Sequence, residues 1–183
     1  RPTTSSAMSS GRIASTRAAC SGFSFDSTTG AWTYTLDNSR AATQALNAGD
    51  AVTERLSVTS LDGTVTRDIV VTVTGSNDQA SVTSESQVVA EDTGVTDNHL
   101  STSGQVVVTD VDDGEARLDL ATLSYTGAAP RLGELTLNAD GTWSYRVDNR
   151  LAGVQALGAG ESRVETWAVK TQDGTATSTI QRR

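Results

Sequence analysis

Gly30-Ala31-Trp32-Thr33-Tyr34-Thr35-Leu36-Asp37-Asn38 returns, 111 residues later, as Gly141-Thr142-Trp143-Ser144-Tyr145-Arg146-Val147-Asp148-Asn149. The match continues without a gap through Gln44-Ala45-Leu46 and Gln155-Ala156-Leu157. It ends at Asp62-Gly63-Thr64 and Asp173-Gly174-Thr175. Over 30–64 against 141–175, 16 of 35 positions are identical, so the two segments are copies of one module. In both copies large apolar residues alternate with small polar ones, the period of a strand with one buried face.

Working outward from the second copy, strands are expected at 87–90, 105–109, 118–125, 135–137, 143–147, 164–169 and 175–180. Asp140-Gly141 and Asp173-Gly174 sit between alternating runs and read as hairpin turns. Residues 150–157 have helical spacing and run into Gly158-Ala159-Gly160, a helix stop. About seven strands in roughly 100 residues is the pattern of an all-β immunoglobulin-like sandwich. Trp143, Tyr145 and Trp167 lie on alternating runs and are read as inter-sheet core rather than as a sugar-stacking platform. The first module is expected to be incomplete. Residues 22–79 cover only its C-terminal half, and 80–183 form a second, nearly complete repeat. The leader 1–21 has little apolar pattern and is expected to be disordered.

Composition agrees. The 183 residues include 28 Thr, 21 Ser and 18 Val, a blend suited to pleated surfaces. Twenty-two acids against 14 Lys and Arg leave a net charge of −8, which argues against a nucleic-acid partner. No apolar run approaches the ~20 residues needed to span a bilayer, so no membrane insertion is expected. Cys20 is the sole cysteine, so no intrachain disulfide forms. His99 is the sole histidine, which removes most zinc and Ser-His-Asp chemistry. His99 lies in a polar stretch and is expected in an exposed loop. No enzymatic role is expected, because the acids cluster in loops without a histidine partner.

The acidic charge is concentrated. Residues 78–119 hold ten acids and one base, a net of −9, while the rest of the chain sums to +1. Three groups stand out: Asn77-Asp78, Glu91-Asp92, and Asp110-Val111-Asp112-Asp113-Gly114-Glu115. One reading is a solvated acidic face. The other is a calcium site, since calcium takes roughly six to eight oxygens, many of them from Asp, Glu and Asn. The loop is not an EF-hand: Gly114 comes one place early, and Ala121 stands where the bidentate Glu belongs.

The combination Gly-x-Trp-x-Tyr-x-(Leu/Val)-Asp-Asn, Gln-Ala-Leu-x-Ala-Gly-(Asp/Glu), Asp-Gly-Thr and Val-Thr-Val-Thr-Gly-Ser-Asn-Asp resembles the VCBS repeat over about residues 22–180. Such repeats occur in very large secreted bacterial proteins, notably RTX-type adhesins exported by type I secretion. The resemblance implies cadherin- or immunoglobulin-like sandwich modules in tandem, outside the cell or on its surface. It implies a role in cell adhesion or biofilm formation, with calcium as the bound ion and neighbouring repeats as partners. Cell-surface glycans or proteins are the alternative partners. The junction Gly75-Ser76-Asn77-Asp78-Gln79-Ala80 lacks the family's proline but keeps its Asn-Asp pair, which resembles the linker ligands of cadherins. The calcium ligands implied are Asp78, Glu91, Asp110 and Asp112 first, then Asn77, Asp92 and Asp113. Bridging them with calcium would stiffen the array.

Overall fold

The structure is a computed structural model that describes residues 8–9 and 20–183. Apart from Met8–Ser9 and the start of a strand at Cys20, the leader expected to be disordered lies outside the described residues. The chain divides into two compact units, Arg1–Asn77 and Asp78–Arg183. No helix among the described residues is long and apolar enough to cross a membrane.

Unit 1 contains β1 (Met8–Ser9), β2 (Cys20–Phe25), β3 (Trp32–Leu36), α1 (Ala41–Gln44), β4 (Ala51–Ser60) and β5 (Thr66–Thr74). β4 pairs with β5 and, at its far end, with β1, while β2 and β3 form a separate two-stranded ribbon.

Unit 2 contains β6 (Ser81–Val82), β7 (Glu85–Gln87), β8 (His99–Gln105), β9 (Val108–Thr109), β10 (Leu118–Tyr125), β11 (Glu134–Leu137), β12 (Thr142–Asp148), α2 (Ala152–Gln155), β13 (Glu165–Thr171) and β14 (Thr177–Arg182). One sheet runs β10-β13-β14-β7, the other β11-β12-β8, and β6-β9 is a short extra ribbon. The two sheets enclose one core, so the unit is an all-β sandwich. α1 and α2 occupy positions exactly one repeat apart, as do β3 and β12 over their shared length.

The alternation in β12 explains its place. Trp143, Tyr145 and Val147 point inward and are buried, while Ser144 and Arg146 face water. Trp167, Val169 and Ile180 face them from the other sheet, with Tyr145 and Trp167 meeting edge to face at 5.7 Å. The β11–β12 hairpin closes as expected at Asp140-Gly141. Asp140 Oδ1 accepts the Thr142 N–H at 2.9 Å, and Gly141 takes φ +85°. A Cβ at Gly141 would lie 1.9 Å from the Val106 carbonyl, so only glycine fits.

Three expectations are corrected. His99 lies on β8, half-buried, and not in a loop. The inward positions of β8 are Leu100, Thr102 and Gly104, set opposite Val147, Tyr145 and Trp143. Gly104 lies against the Trp143 ring, where a Cβ would come within 2.3 Å of Cζ2. A strand whose inner face is one Leu, one Thr and one Gly carries no apolar alternation. The strand expected at 105–109 is accordingly broken into the end of β8 and the short β9. The strand expected at 87–90 sits two residues earlier, because β7 pairs in parallel with β14, Ile180 opposite Glu85 and Arg182 opposite Gln87.

Candidate metal centre at one pole of the second unit

The loop after β9 folds back on itself. Asp110 Oδ1 accepts the Asp112 N–H at 3.0 Å, and Asp112 Oδ2 accepts the Asp78 N–H at 2.7 Å. This bond, from the Asp78 main chain to the Asp112 carboxylate, ties the first residue of unit 2 to the Asp110–Asp112 step. Gly114, at φ +80°, then turns the chain so that Glu115 approaches Asp110. The third strand of chain to arrive is the β13–β14 hairpin. There Asp173 is held by the Thr171 hydroxyl at 2.5 Å and by the Thr175 hydroxyl. Thr175 in turn accepts the Ala80 N–H at 3.0 Å, which keeps the start of the unit beside that hairpin.

Asp110, Glu115 and Asp173 each place a carboxylate oxygen so that all three lie within 4.8 Å of one another. Two ligands of one calcium ion, each roughly 2.3–2.6 Å from it, are at most about 5 Å apart. Asp112 is buried, and its Oδ1 and the Oδ2 of Asp110 are buried without a hydrogen-bond partner. Buried carboxylate oxygens without donors are costly. The donor set is all hard oxygen, without a thiolate or imidazole, and so fits calcium rather than zinc.

The residues expected as ligands divide. Asp78, Asp110 and Asp112 are brought together, and Asp113 is exposed on the same loop. Asn77 is the last residue of unit 1. Glu91 and Asp92 stand at the other end of the sandwich. Asp92, at φ +55°, donates its N–H to Asn149 Oδ1 at 3.2 Å, and its Oδ1 accepts the Asn149 Nδ2–H at 2.7 Å. Asn149 follows the C-terminal end of β12, and Val89 donates to the carbonyl of Arg183 just past β14. The Asp173 hairpin precedes β14, so the two groups are separated by the length of that strand, about 20 Å.

Glu115 and Asp173 were not among the expected ligands. Glu115 belongs to the acidic run, but no spacing rule singled it out. Asp173 opens an Asp-Gly-Thr turn that recurs at Asp62, and its turn role hid any other.

A cleft of about 320 Å³ opens at the second pole, with Val89, Leu100, Val147, Val154 and Arg182 in its wall. The buried Arg182 guanidinium lies 3.5 Å above the Trp143 ring, and desolvation pulls its pKa down to about 10.

Similar solved structures include the EC1-4 fragment of PcdhgB3, with 17% identity, a TM-score of 0.38, and coverage of 87% of this chain and 35% of that one. The Protocadherin GammaB4 extracellular domain has 14% identity, a TM-score of 0.42, and coverage of 98% and 26%. The endo-fucoidan hydrolase MfFcnA9 of glycoside hydrolase family 107 has 17% identity, a TM-score of 0.30, and coverage of 89% and 28%. The chain spans about a third or less of the length of each of these structures. No curated protein matches the sequence. Residues 77–182 match the bacterial cadherin-like domain, and the chain belongs to that family.

Proposed function

We propose that this chain is a calcium-stiffened spacer segment of a large extracellular bacterial adhesin, working in cell adhesion or biofilm formation. The observation that carries the reading is the pair of buried, unpartnered oxygens on Asp110 and Asp112, beside the convergence of Asp110, Glu115 and Asp173. Two unit charges about 5 Å apart repel by about 3 kcal/mol at an effective dielectric near 20. A divalent cation converts that repulsion into a crosslink between the loop after β9 and the β13–β14 hairpin. Because Asp112 also holds the Asp78 N–H, the crosslink fixes the entry of the chain into unit 2. Extracellular calcium modules work near 10⁻⁴–10⁻³ M, so such sites empty inside the cell and fill outside it. Tandem modules with fixed entries make a stiff rod that holds a distal binding domain away from the surface.

Thermal unfolding in about 2 mM calcium against EDTA tests this, since a ligand bound only by the native state must stabilise it. A clear rise in Tm is expected with calcium and not with magnesium. The rise should vanish in the double variant Asp110→Asn, Asp112→Asn. An unchanged Tm in folded wild-type protein would sink the metal and leave the acidic loop as a solvated surface.

A further inference from the structure

We infer that Thr175 is the positioning residue that couples the carboxylates of the metal centre to the main chain entering unit 2, so that calcium at Asp173 holds Ala80 in place. The inference rests on the calcium reading above and assigns the residue through which that site acts. A hydroxyl has one proton to give and lone pairs to receive. At Thr175 both are committed. Its hydroxyl donates to Asp173 Oδ2 and accepts the Ala80 N–H at 3.0 Å. The other carboxylate oxygen, Asp173 Oδ1, accepts the hydroxyl of Thr171 at 2.5 Å, and Thr171 is fully buried. A chain of bonds therefore runs from a buried threonine, through a carboxylate of the metal centre, to the residue before β6.

Ala80 gives the chain of bonds its weight. It is 4% exposed, and a buried N–H that loses its acceptor is costly. Two residues earlier, Asp112 Oδ2 accepts the Asp78 N–H at 2.7 Å. Alternate N–H groups of the entry segment are held by two different loops. One loop carries Asp110 and Glu115, the other Asp173, and these three carboxylates converge within 4.8 Å. Without a cation, their repulsion drives the loop after β9 and the β13–β14 hairpin apart, and the hairpin takes Thr175 with it. With calcium the two loops close, and both N–H groups keep their acceptors. Coupling of this kind is reciprocal, so the bond that holds Ala80 on Thr175 also strengthens calcium binding. The repeat supplies an internal control. In Asp62-Gly63-Thr64 the Thr64 hydroxyl likewise donates to its aspartate, at 2.8 Å from Asp62 Oδ1.

The test uses the intact 183-residue chain and three variants. Calorimetric titration gives the calcium affinity, and NMR gives amide exchange at Ala80 with and without calcium. In the wild type, calcium should slow that exchange about tenfold. Thr175→Val keeps the shape of the side chain but can neither donate nor accept. It should bind calcium about fivefold more weakly and leave exchange at Ala80 indifferent to calcium. Thr175→Ser keeps the hydroxyl and should restore both properties. Thr64→Val makes the same change in the counterpart turn and should leave both at wild-type values. A merely structural Thr175 would lower Tm on substitution by Val while calcium affinity and the Ala80 response stay intact, and that result overturns the inference. Calcium binding by the wild type with no effect on Ala80 overturns the inference alone. A wild type that binds no calcium overturns the metal reading and this inference with it.

Discussion

The hydroxyl of Tyr145 donates to Glu165 Oε2 across 2.8 Å and so joins the two sheets of unit 2, because Tyr145 is on β12 and Glu165 on β13. Glu165 is buried, and it also accepts the N–H groups of Leu132 and Gly133, the latter at 3.3 Å. A carboxylate is tolerated in a core when several donors converge on it. Tyr34 and Glu54 occupy the same two positions of the first repeat, and Glu54 is buried as well.

Glu165→Ala should destabilise unit 2 by about 3 kcal/mol or more, because it strands two main-chain donors and a phenol at once. Glu165→Gln keeps an acceptor and should cost clearly less. Urea unfolding of both variants, followed by far-UV circular dichroism, checks the order.

Stability should fall in alkali through Tyr145. Burial first, then the hydrogen bond to Glu165, raises its pKa above the ordinary phenol value. A raised folded-state pKa contributes stability that is fully present below the unfolded value of about 10. That stability is lost as the pH climbs from there through the folded value, by at most about 1.4 kcal/mol per pH unit. Tyr145→Phe should be less stable at neutral pH and show a shallower loss above pH 10. Equal slopes in the two proteins would assign the alkaline loss to other groups.

The two poles should respond separately to metal. Glu115→Gln and Asp173→Asn should each reduce the stabilisation by calcium, because their oxygens converge with that of Asp110. Glu91→Gln, at the other end of β14, should leave it intact. Calcium titrations followed by Tm separate these cases, and loss of the effect in Glu91→Gln would contradict the division.

Gly104→Ala should destabilise unit 2 by about 1–3 kcal/mol, the usual cost of overpacking. The new Cβ meets the Trp143 ring, and that ring has little room to retreat because the Arg182 guanidinium lies 3.5 Å over it. A change in near-UV circular dichroism should accompany the loss.

The polypeptide's own order of residues determined the repeat, the all-β class, the two Asp-Gly hairpins, the short helix before Gly160 and the inward face of Trp143, Tyr145 and Trp167. Each of these is written in local terms: a period of two in large side chains, or a residue type that a turn requires. β8 was not legible, because its inner face is Leu100, Thr102 and Gly104, and the bulk that fills the layer belongs to Trp143 across the ladder. The division of the acids was not legible either. Glu91 lies closer in sequence to Asp78 than Asp110 does, yet it stands at the far pole. Asp173 is 95 residues from Asp78 and stands at the near one. Strand direction and pairing decide which loop ends share a pole. Those are properties of the closed sandwich, so the sequence by itself determined the modules and their supply of carboxylates, and only the tertiary structure decided which carboxylates meet.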